Sequence, residues 1–87
     1  MSETIRVANE MVKRLAEVAE KEGTFRVGVP KDVVLGWFPT VAPAIVNLAA
    51  EYTEEKGWTK LERIIGDWLR INLTSYGYDL ARQDPND

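Results

Sequence analysis

The chain lacks cysteine and histidine altogether. Without cysteine it has no disulfide framework, no thiol nucleophile and no thiolate metal ligand. Without histidine it also lacks the commonest general base and the commonest transition-metal ligand. Ser75 has no histidine to activate it, and Glu51, Glu54 and Glu55 fit a solvated helix face better than a cation site. We therefore expect no enzymatic activity, no bound metal and no cofactor, and the function hypotheses turn to binding.

A strong charge of one sign is also missing. The 87 residues carry a formal net charge of −3, from 11 Lys and Arg against 14 Asp and Glu. Residues 1–31 hold 6 basic and 5 acidic side chains, which is +1, whereas residues 32–87 hold 5 and 9, which is −4. A contact with a polyanion is therefore expected in the N-terminal third of the chain.

Long hydrophobic runs are scarce as well. The longest uncharged run covers residues 33–50, which is close to the lower length limit for a membrane-spanning helix. Pro39 and Pro43 interrupt its backbone hydrogen bonding near the centre, where lipid offers no substitute partner. The first residues lack the basic region and apolar core of a signal peptide. We expect no membrane span and a cytoplasmic location.

The sequence does contain clear hydrophobic periodicity. It predicts an α+β fold that is mostly α, with three main helices and one or two short N-terminal strands. Residues 4–7 alternate polar and apolar side chains, which is typical of a half-buried strand. A helix is predicted over residues 9–22, with Gly23 as its stop. Residues 25–29 alternate again and predict a second strand.

The second half of the chain predicts two more helices. The first covers residues 41–56 and has a wide apolar face, with Gly57 as its end. The second covers residues 59–73, because Thr59 and Glu62 have the spacing of a capping box in front of an apolar helical pattern.

Between these regions lies an apolar cluster, residues 31–38, which fits either a short helical turn or a buried loop. Within it, Trp37 and Phe38 fit either core packing or an exposed anchor at a partner interface. So much apolar surface in so short a chain is expected to be covered by a partner, and we expect a homodimer. The expected organisation is a single domain over residues 1–80 and a frayed polar tail over residues 81–87.

A strand motif, an amphipathic helix and a glycine stop follow one another within residues 2–24. This order resembles the first half of ribbon-helix-helix DNA-binding proteins, in which two chains pair their strands into a ribbon that enters the major groove. The resemblance implies that Thr4 and Arg6 contact bases. It also implies that Ile5 and Val7 join the core of the dimer.

A second partial alignment starts at residues 25–29, with the two later helices in the places of the family's helices. It implies that Arg26 contacts DNA, and that Lys60, next to the N-terminus of the last helix, contacts a phosphate. The insertion over residues 30–40 is longer than the family's pattern.

The leading hypothesis is therefore a small dimeric DNA-binding regulatory protein of ribbon-helix-helix-like type. The alternative is a non-catalytic protein–protein interaction or assembly subunit with no nucleic-acid ligand. The net negative charge favours the alternative, because non-specific DNA affinity needs several Lys and Arg contacts on one face.

Overall fold

The computed structural model describes residues 2–83, and these form an α+β fold that is mostly helical, as the sequence predicts. The described chain contains four helices and three strands rather than three helices and N-terminal strands. In chain order they are α1 (Glu3–Glu22), β1 (Gly28–Pro30), α2 (Lys31–Trp37), α3 (Pro43–Glu55), β2 (Thr59–Ile64), β3 (Asp67–Leu73) and α4 (Ser75–Arg82).

The three strands form one antiparallel sheet with the order β1-β3-β2. Helix α1 packs against α3 and α4, and α1 and α3 also contact strands of the sheet. The inward side chains of the sheet join those of the helices in one hydrophobic core. The sheet contributes buried side chains at Val29, Leu61, Trp68, Ile71 and Leu73.

The predicted strand at residues 4–7 is wrong, because these residues lie in the first two turns of α1. Four alternating residues fit a strand, but the apolar stripe of the helix continues upstream to Val7 with helical spacing. Gly23 ends the helix as predicted, with φ 77° and its N–H donating to the carbonyl of Ala19. The buried stripe consists of Val7, Ala8, Met11, Val12, Leu15, Ala16 and Ala19.

The predicted helix over residues 59–73 is also wrong, because this segment is the β2–β3 hairpin. Its turn consists of Ile65 and Gly66, which have φ 47° and 82°, and positive φ at both central residues is the geometry of a type I′ turn. The expected capping box does not form. Instead, the hydroxyl of Thr59 lies 2.8 Å from that of Thr53 on α3, and both side chains are buried.

The cluster at residues 31–38 forms the short helix α2, followed by a buried Phe38, and a short helical turn is one of the two structures predicted for it. Two other boundaries differ from the prediction. Strand β1 has only three residues, instead of covering residues 25–29. Helix α3 begins at Pro43, a position where proline suits the first turn of a helix. It ends before Gly57, which has φ 79°.

Helix α4 is an element that the periodicity did not predict. Thr74 caps it, because the threonine hydroxyl accepts the N–H of Gly77 at 3.0 Å and donates to the carbonyl of Gly57 at 2.7 Å. A Cβ atom on Gly77 would lie 2.1 Å from the carbonyl oxygen of Trp58, so glycine permits this close approach. The helix includes residues 81–82 of the expected tail, and residues 84–87 lie outside the described residues.

Candidate functional site

The sheet has one face against the helices and one face exposed. The exposed face, here called the outer face, carries Lys60 and Glu62 from β2 and Arg70 and Asn72 from β3. They are cross-strand neighbours, because Lys60 pairs with Asn72 and Glu62 pairs with Arg70. Side chains of directly opposed residues lie on the same face of a sheet. The outer face is therefore a polar surface of mixed charge.

The side chains of Arg70 and Asn72 also lie over Gly28 of β1. Arg70 donates from its guanidinium to the carbonyl of Gly28 at 2.9 Å. Asn72 is held from the other side, because it donates to the carboxylate of Glu62 on β2 at 2.8 Å. A Cβ atom on Gly28 would lie 2.6 Å from Cδ of Arg70 and 2.7 Å from Oδ1 of Asn72. Gly28 therefore leaves room for these side chains to lie flat across the sheet.

The hairpin turn adds apolar side chains to one end of this surface. Ile64, Ile65 and Leu69 are all exposed, and Ile65 is 99% exposed. We call these three residues the apolar tip. Ile65 is the only non-glycine residue among those described with a positive φ. This conformation is rare for a β-branched residue and costs about 1–3 kcal/mol.

Leu69 owes its position to an irregularity in the hairpin. The pairing of Glu62 with Arg70 is followed by that of Arg63 with Trp68, so Leu69 is an extra residue on β3. A β-bulge of this kind changes the direction in which a side chain is presented. The indole of Trp68 points inward, where its N–H donates to Asn47 at 3.2 Å, whereas Leu69 remains exposed.

The outer edge of β2 is closed by α3. Glu54 accepts the backbone N–H of Leu61 at 3.0 Å and a guanidinium N–H of Arg63 at 2.7 Å. Arg63 also donates to Glu51 at 3.1 Å. The hydrogen bond from Arg63, with a further contribution from Leu61, lowers the pKa of Glu54, and the two carboxylates raise the pKa of Arg63. An added strand would have to displace Glu54, so this edge is unsuited to pairing with another chain.

A separate concave feature lies where α1 ends. It is a cleft of about 470 Å³, which we call the aromatic cleft. The rings of Phe25 and Tyr78 form one wall in an edge-to-face contact, with centroids 5.0 Å apart. Its lining consists of Ala19, Glu20, Gly23, Thr24, Phe25 and Tyr78.

The polar side of the aromatic cleft is an ordered cluster. Glu20 accepts the hydroxyl of Tyr78 at 2.8 Å and the Nε–H of Arg82 at 2.9 Å. Hydrogen bonds from Arg82 and Tyr78 lower the pKa of Glu20, whereas the bond to Glu20 raises the pKa of Tyr78. Because Arg82 neutralises Glu20, the cleft offers aromatic surface rather than a free charge.

The four N-terminal site residues predicted from the resemblance do not form a ribbon. Thr4 and Ile5 are half-buried on α1, and Val7 is fully buried in the core of a single chain. Arg6 is exposed and lies 3.5 Å from the carboxylate of Glu3. Within residues 2–83, the N-terminal strand on which the first alignment depends is therefore absent.

The other predicted site residues are scattered. Lys60 lies on the outer face, and Arg26 is exposed two residues before β1. Phe38 is buried in the core and Trp37 is packed against it at the end of α2. Of all eight predicted site residues, only Lys60 belongs to the outer face or the apolar tip.

Sequence reasoning missed the apolar tip, Arg70 and Asn72, because a helix was expected there. The available signal was Gly66 between two short stretches in which polar and less polar side chains alternate, residues 59–62 and 70–73, a pattern typical of a hairpin with a glycine turn. Among residues 2–83, no group of acidic residues has the arrangement of a metal site. No helix of that region is long and apolar enough to cross a membrane.

Comparison with protein-family models, curated proteins and solved structures found no match to this chain. The function of this chain must therefore be inferred from the geometry of the outer face, the apolar tip and the aromatic cleft.

Proposed function

We propose that this protein is a non-catalytic protein-binding module that binds its partner through the apolar tip and the adjoining outer face. The observation that carries the proposal is Ile65, which is 99% exposed and has φ 47°. Asparagine or glycine suits such a turn position far better. An isoleucine there costs stability and buries nothing within the chain, so its advantage is expected in a complex.

The composition of the surface supports the same proposal. Protein interfaces combine a small apolar centre with a polar rim, and arginine is enriched in them. Ile64, Ile65 and Leu69 supply such a centre, and the polar residues of the outer face lie beside it. Arg70 is already oriented by its bond to Gly28, so ordering it in a complex costs less side-chain entropy.

Site-specific photocrosslinking in cells tests the proposal without knowledge of the partner. A photoreactive phenylalanine analogue replaces Ile65 in one variant and Leu48 in a control variant. Leu48 is also an exposed apolar residue, but it lies on the face of α3 opposite the buried Val46 and Ala50. We expect a discrete protein adduct from position 65 and none of that mass from position 48. Indistinguishable adduct patterns from the two positions would contradict the proposal.

Nucleic-acid binding is the second candidate function, and one observation favours it. Lys60 and Arg70 share the outer face, and neither takes part in an ion pair among residues 2–83. Glu62 lies on the same face and reduces its positive charge. Backbone phosphates would be the ligands, and affinity would fall steeply with salt.

A DNA titration separates the two candidates. If nucleic-acid binding operates, the chain retards duplex DNA at low salt, and Lys60→Ala with Arg70→Ala weakens binding at least tenfold. Arg6→Ala serves as the matched control, because Arg6 is an exposed arginine on α1 and is not part of the outer face. No retardation at low salt would exclude this candidate.

A further inference from the structure

We infer that α4 is a strap that closes over α1 and opens locally, and that Glu20 is the residue that holds it shut. The strap lies at the end of β3 opposite the apolar tip, because α4 begins at Ser75, two residues after Leu73. Opening of the strap is therefore independent of the protein-binding function proposed for the tip.

Helix α4 buries no side chain completely. Of its eight residues only Gly77 is buried, and glycine has no side chain. Tyr78, Leu80 and Ala81 are only half-buried, whereas α1 has seven buried residues and α3 has four. Elements with few buried apolar contacts open at a lower free energy than the whole chain unfolds. Among the helices that pack on α1, α4 is therefore the one that opens most easily.

Two clefts lie between α4 and α1. The aromatic cleft has Tyr78 of α4 in its wall. The second cleft, of about 230 Å³, contains Leu80 and Ala81 of α4 together with Trp58. The α1 residues of both clefts follow one another at helical spacing and so share one face of the helix. They are Asn9, Val12, Lys13, Ala19, Glu20 and Gly23.

Ala16 occupies the middle of this face and is fully buried. Because residues of α4 line the cleft on each side of it, α4 crosses α1 at this alanine. Opening of α4 would therefore uncover Ala16 and join the two clefts into one groove along α1.

The contacts that hold the strap shut lie on its exposed side. Glu20 accepts the hydroxyl of Tyr78 at 2.8 Å and the Nε–H of Arg82 at 2.9 Å. The side chains of Glu20 and Arg82 are 47% and 39% exposed, and an ion pair with this exposure contributes little to stability. The ring of Tyr78 adds an edge-to-face contact with Phe25. These contacts favour the closed position without making it permanent.

The first turn of α4 is the fixed end of the strap. Thr74 binds the carbonyl of Gly57, and Gly77 lies against the backbone of Trp58. Movement of this turn would break both contacts, whereas the second turn is attached through the exposed cluster at Glu20. The second turn is therefore the part that leaves α1.

Native-state amide hydrogen exchange, measured residue by residue by NMR, tests the strap. The amides of Leu80, Ala81 and Arg82 are expected to be at least tenfold less protected than the amide of Leu15 in α1, and to share one protection factor because they open together. Glu20→Ala is expected to lower their protection at least threefold further without lowering that of Leu15.

Glu17→Ala is the matched control, because Glu17 is exposed one turn earlier on α1 and takes part in no ion pair among residues 2–83. It is expected to leave the protection of α4 unchanged. Equal effects of Glu17→Ala and Glu20→Ala would overturn the role of Glu20.

A thiol at position 16 distinguishes opening of the strap from fraying of the helix end. The chain has no cysteine, so Ala16→Cys carries a single thiol under α4, and Ala49→Cys carries one at an equally buried position of α3. Without denaturant, a thiol reagent is expected to modify Ala16→Cys at least tenfold faster than Ala49→Cys. Addition of Glu20→Ala is expected to accelerate the reaction at position 16 only.

Three outcomes would overturn the strap. Protection in α4 equal to that of Leu15 would mean that α4 opens only when the whole chain unfolds. Protection that falls steadily towards Arg82 would show fraying of the helix end. Equal reaction rates at positions 16 and 49 would show that Ala16 is not uncovered. If either cysteine variant unfolds, hydrogen exchange in the wild type and the two alanine variants still decides the result.

Discussion

The two ends of the β2–β3 hairpin differ in how well their residue types match the local backbone. The junction end is formed by Gly57, Trp58, Thr74 and Gly77. Here Thr74 caps α4 and binds the carbonyl of Gly57, and Gly77 permits an approach of the backbone of Trp58 that a side chain would prevent. At the turn end, formed by Ile64, Ile65 and Gly66, an exposed β-branched residue has a left-handed backbone. The residues of the junction end therefore stabilise the fold, whereas the conformation of Ile65 at the turn end destabilises it.

The contrast between the two ends indicates which residues of this small chain have a role other than folding. Residues that agree with their local structure explain stability, and residues that disagree with it need another explanation. At the turn end, Ile65 is unfavourable in two ways, because its backbone has a positive φ and its apolar side chain is exposed. Substitutions at the two ends and at the edge of β2 test whether this contrast holds.

The largest effect is expected at the junction end. Gly77→Ala would place a Cβ atom 2.1 Å from the carbonyl oxygen of Trp58, so backbone must move. We expect a loss of about 3 kcal/mol in the free energy of unfolding, measured by urea denaturation. Gly36→Ala is the matched control, because a Cβ atom there has no neighbour within 4 Å. It is expected to leave stability unchanged or slightly higher. Equal effects of the two substitutions would refute the tight junction.

The next effect concerns the buried hydroxyl pair at the start of β2. Thr53 donates to the carbonyl of Ala50 at 2.7 Å, and its hydroxyl lies 2.8 Å from that of Thr59. Thr53→Val leaves the buried hydroxyl of Thr59 without this partner and is expected to cost about 1–3 kcal/mol. The double variant with Thr59→Val is expected to cost less than the sum of the two single variants. Additive costs would show that the hydroxyls do not interact.

At the turn end, a substitution is expected to increase the free energy of unfolding instead of decreasing it. Ile65→Asn relieves the left-handed strain and is expected to raise the free energy of unfolding by about 1 kcal/mol. Ile65→Val keeps a β-branched side chain in the same backbone conformation and is expected to give no gain. A destabilised Ile65→Asn variant would mean that Ile65 supports the fold, and the contrast between the two ends would disappear.

The smallest effect is expected at the edge of β2. Because Arg63 and Leu61 lower the pKa of Glu54 in the folded state, ionised Glu54 stabilises the fold at neutral pH. This contribution is lost as pH falls through the folded-state pKa, which lies below the usual pKa of a glutamate. Solvent screening limits it to less than about 1 kcal/mol. Glu54→Gln is expected to flatten the pH dependence of stability in the acid range below the usual pKa of glutamate.

Glu55→Gln is the matched control for that titration. Glu55 is exposed on the same helix and takes part in no ion pair among residues 2–83. The control is expected to keep the pH dependence of the wild type. A Glu54→Gln variant with the same slope as the wild type would show that the contact with Arg63 and Leu61 does not stabilise the edge.

Local signals predicted several features well. The stop of α1 at Gly23 and the end of α3 before Gly57 follow from the freedom of glycine at positive φ. The helical spacing of apolar residues in α1 predicted its buried face, although not its start. These features depend on neighbours within one or two turns, so periodicity and glycine positions are sufficient to find them.

Periodicity and glycine positions could not predict the hairpin or the candidate site. Thr59 and Glu62 have the spacing of a helix cap, but Thr59 instead contacts Thr53, which lies on another element. Lys60 and Arg70 share a face only because β2 pairs with β3 in this register. Local patterns over residues 59–73 fit a helix and a hairpin alike, and packing against α1 and α3 decides between them.

The α+β fold class, mostly helical, follows from the sequence alone. The absence of cysteine and histidine removes their nucleophilic, acid–base and metal-ligand chemistry, and the apolar periodicity predicts an α+β chain that is mostly helical. Only long-range packing selects the segment that forms the sheet, the face of the sheet that is exposed, and the position of Ile65 at an exposed turn. The physical reason is that backbone propensities differ by only about 1 kcal/mol per residue. Burial of a side chain such as Trp68 contributes more and therefore overrides them.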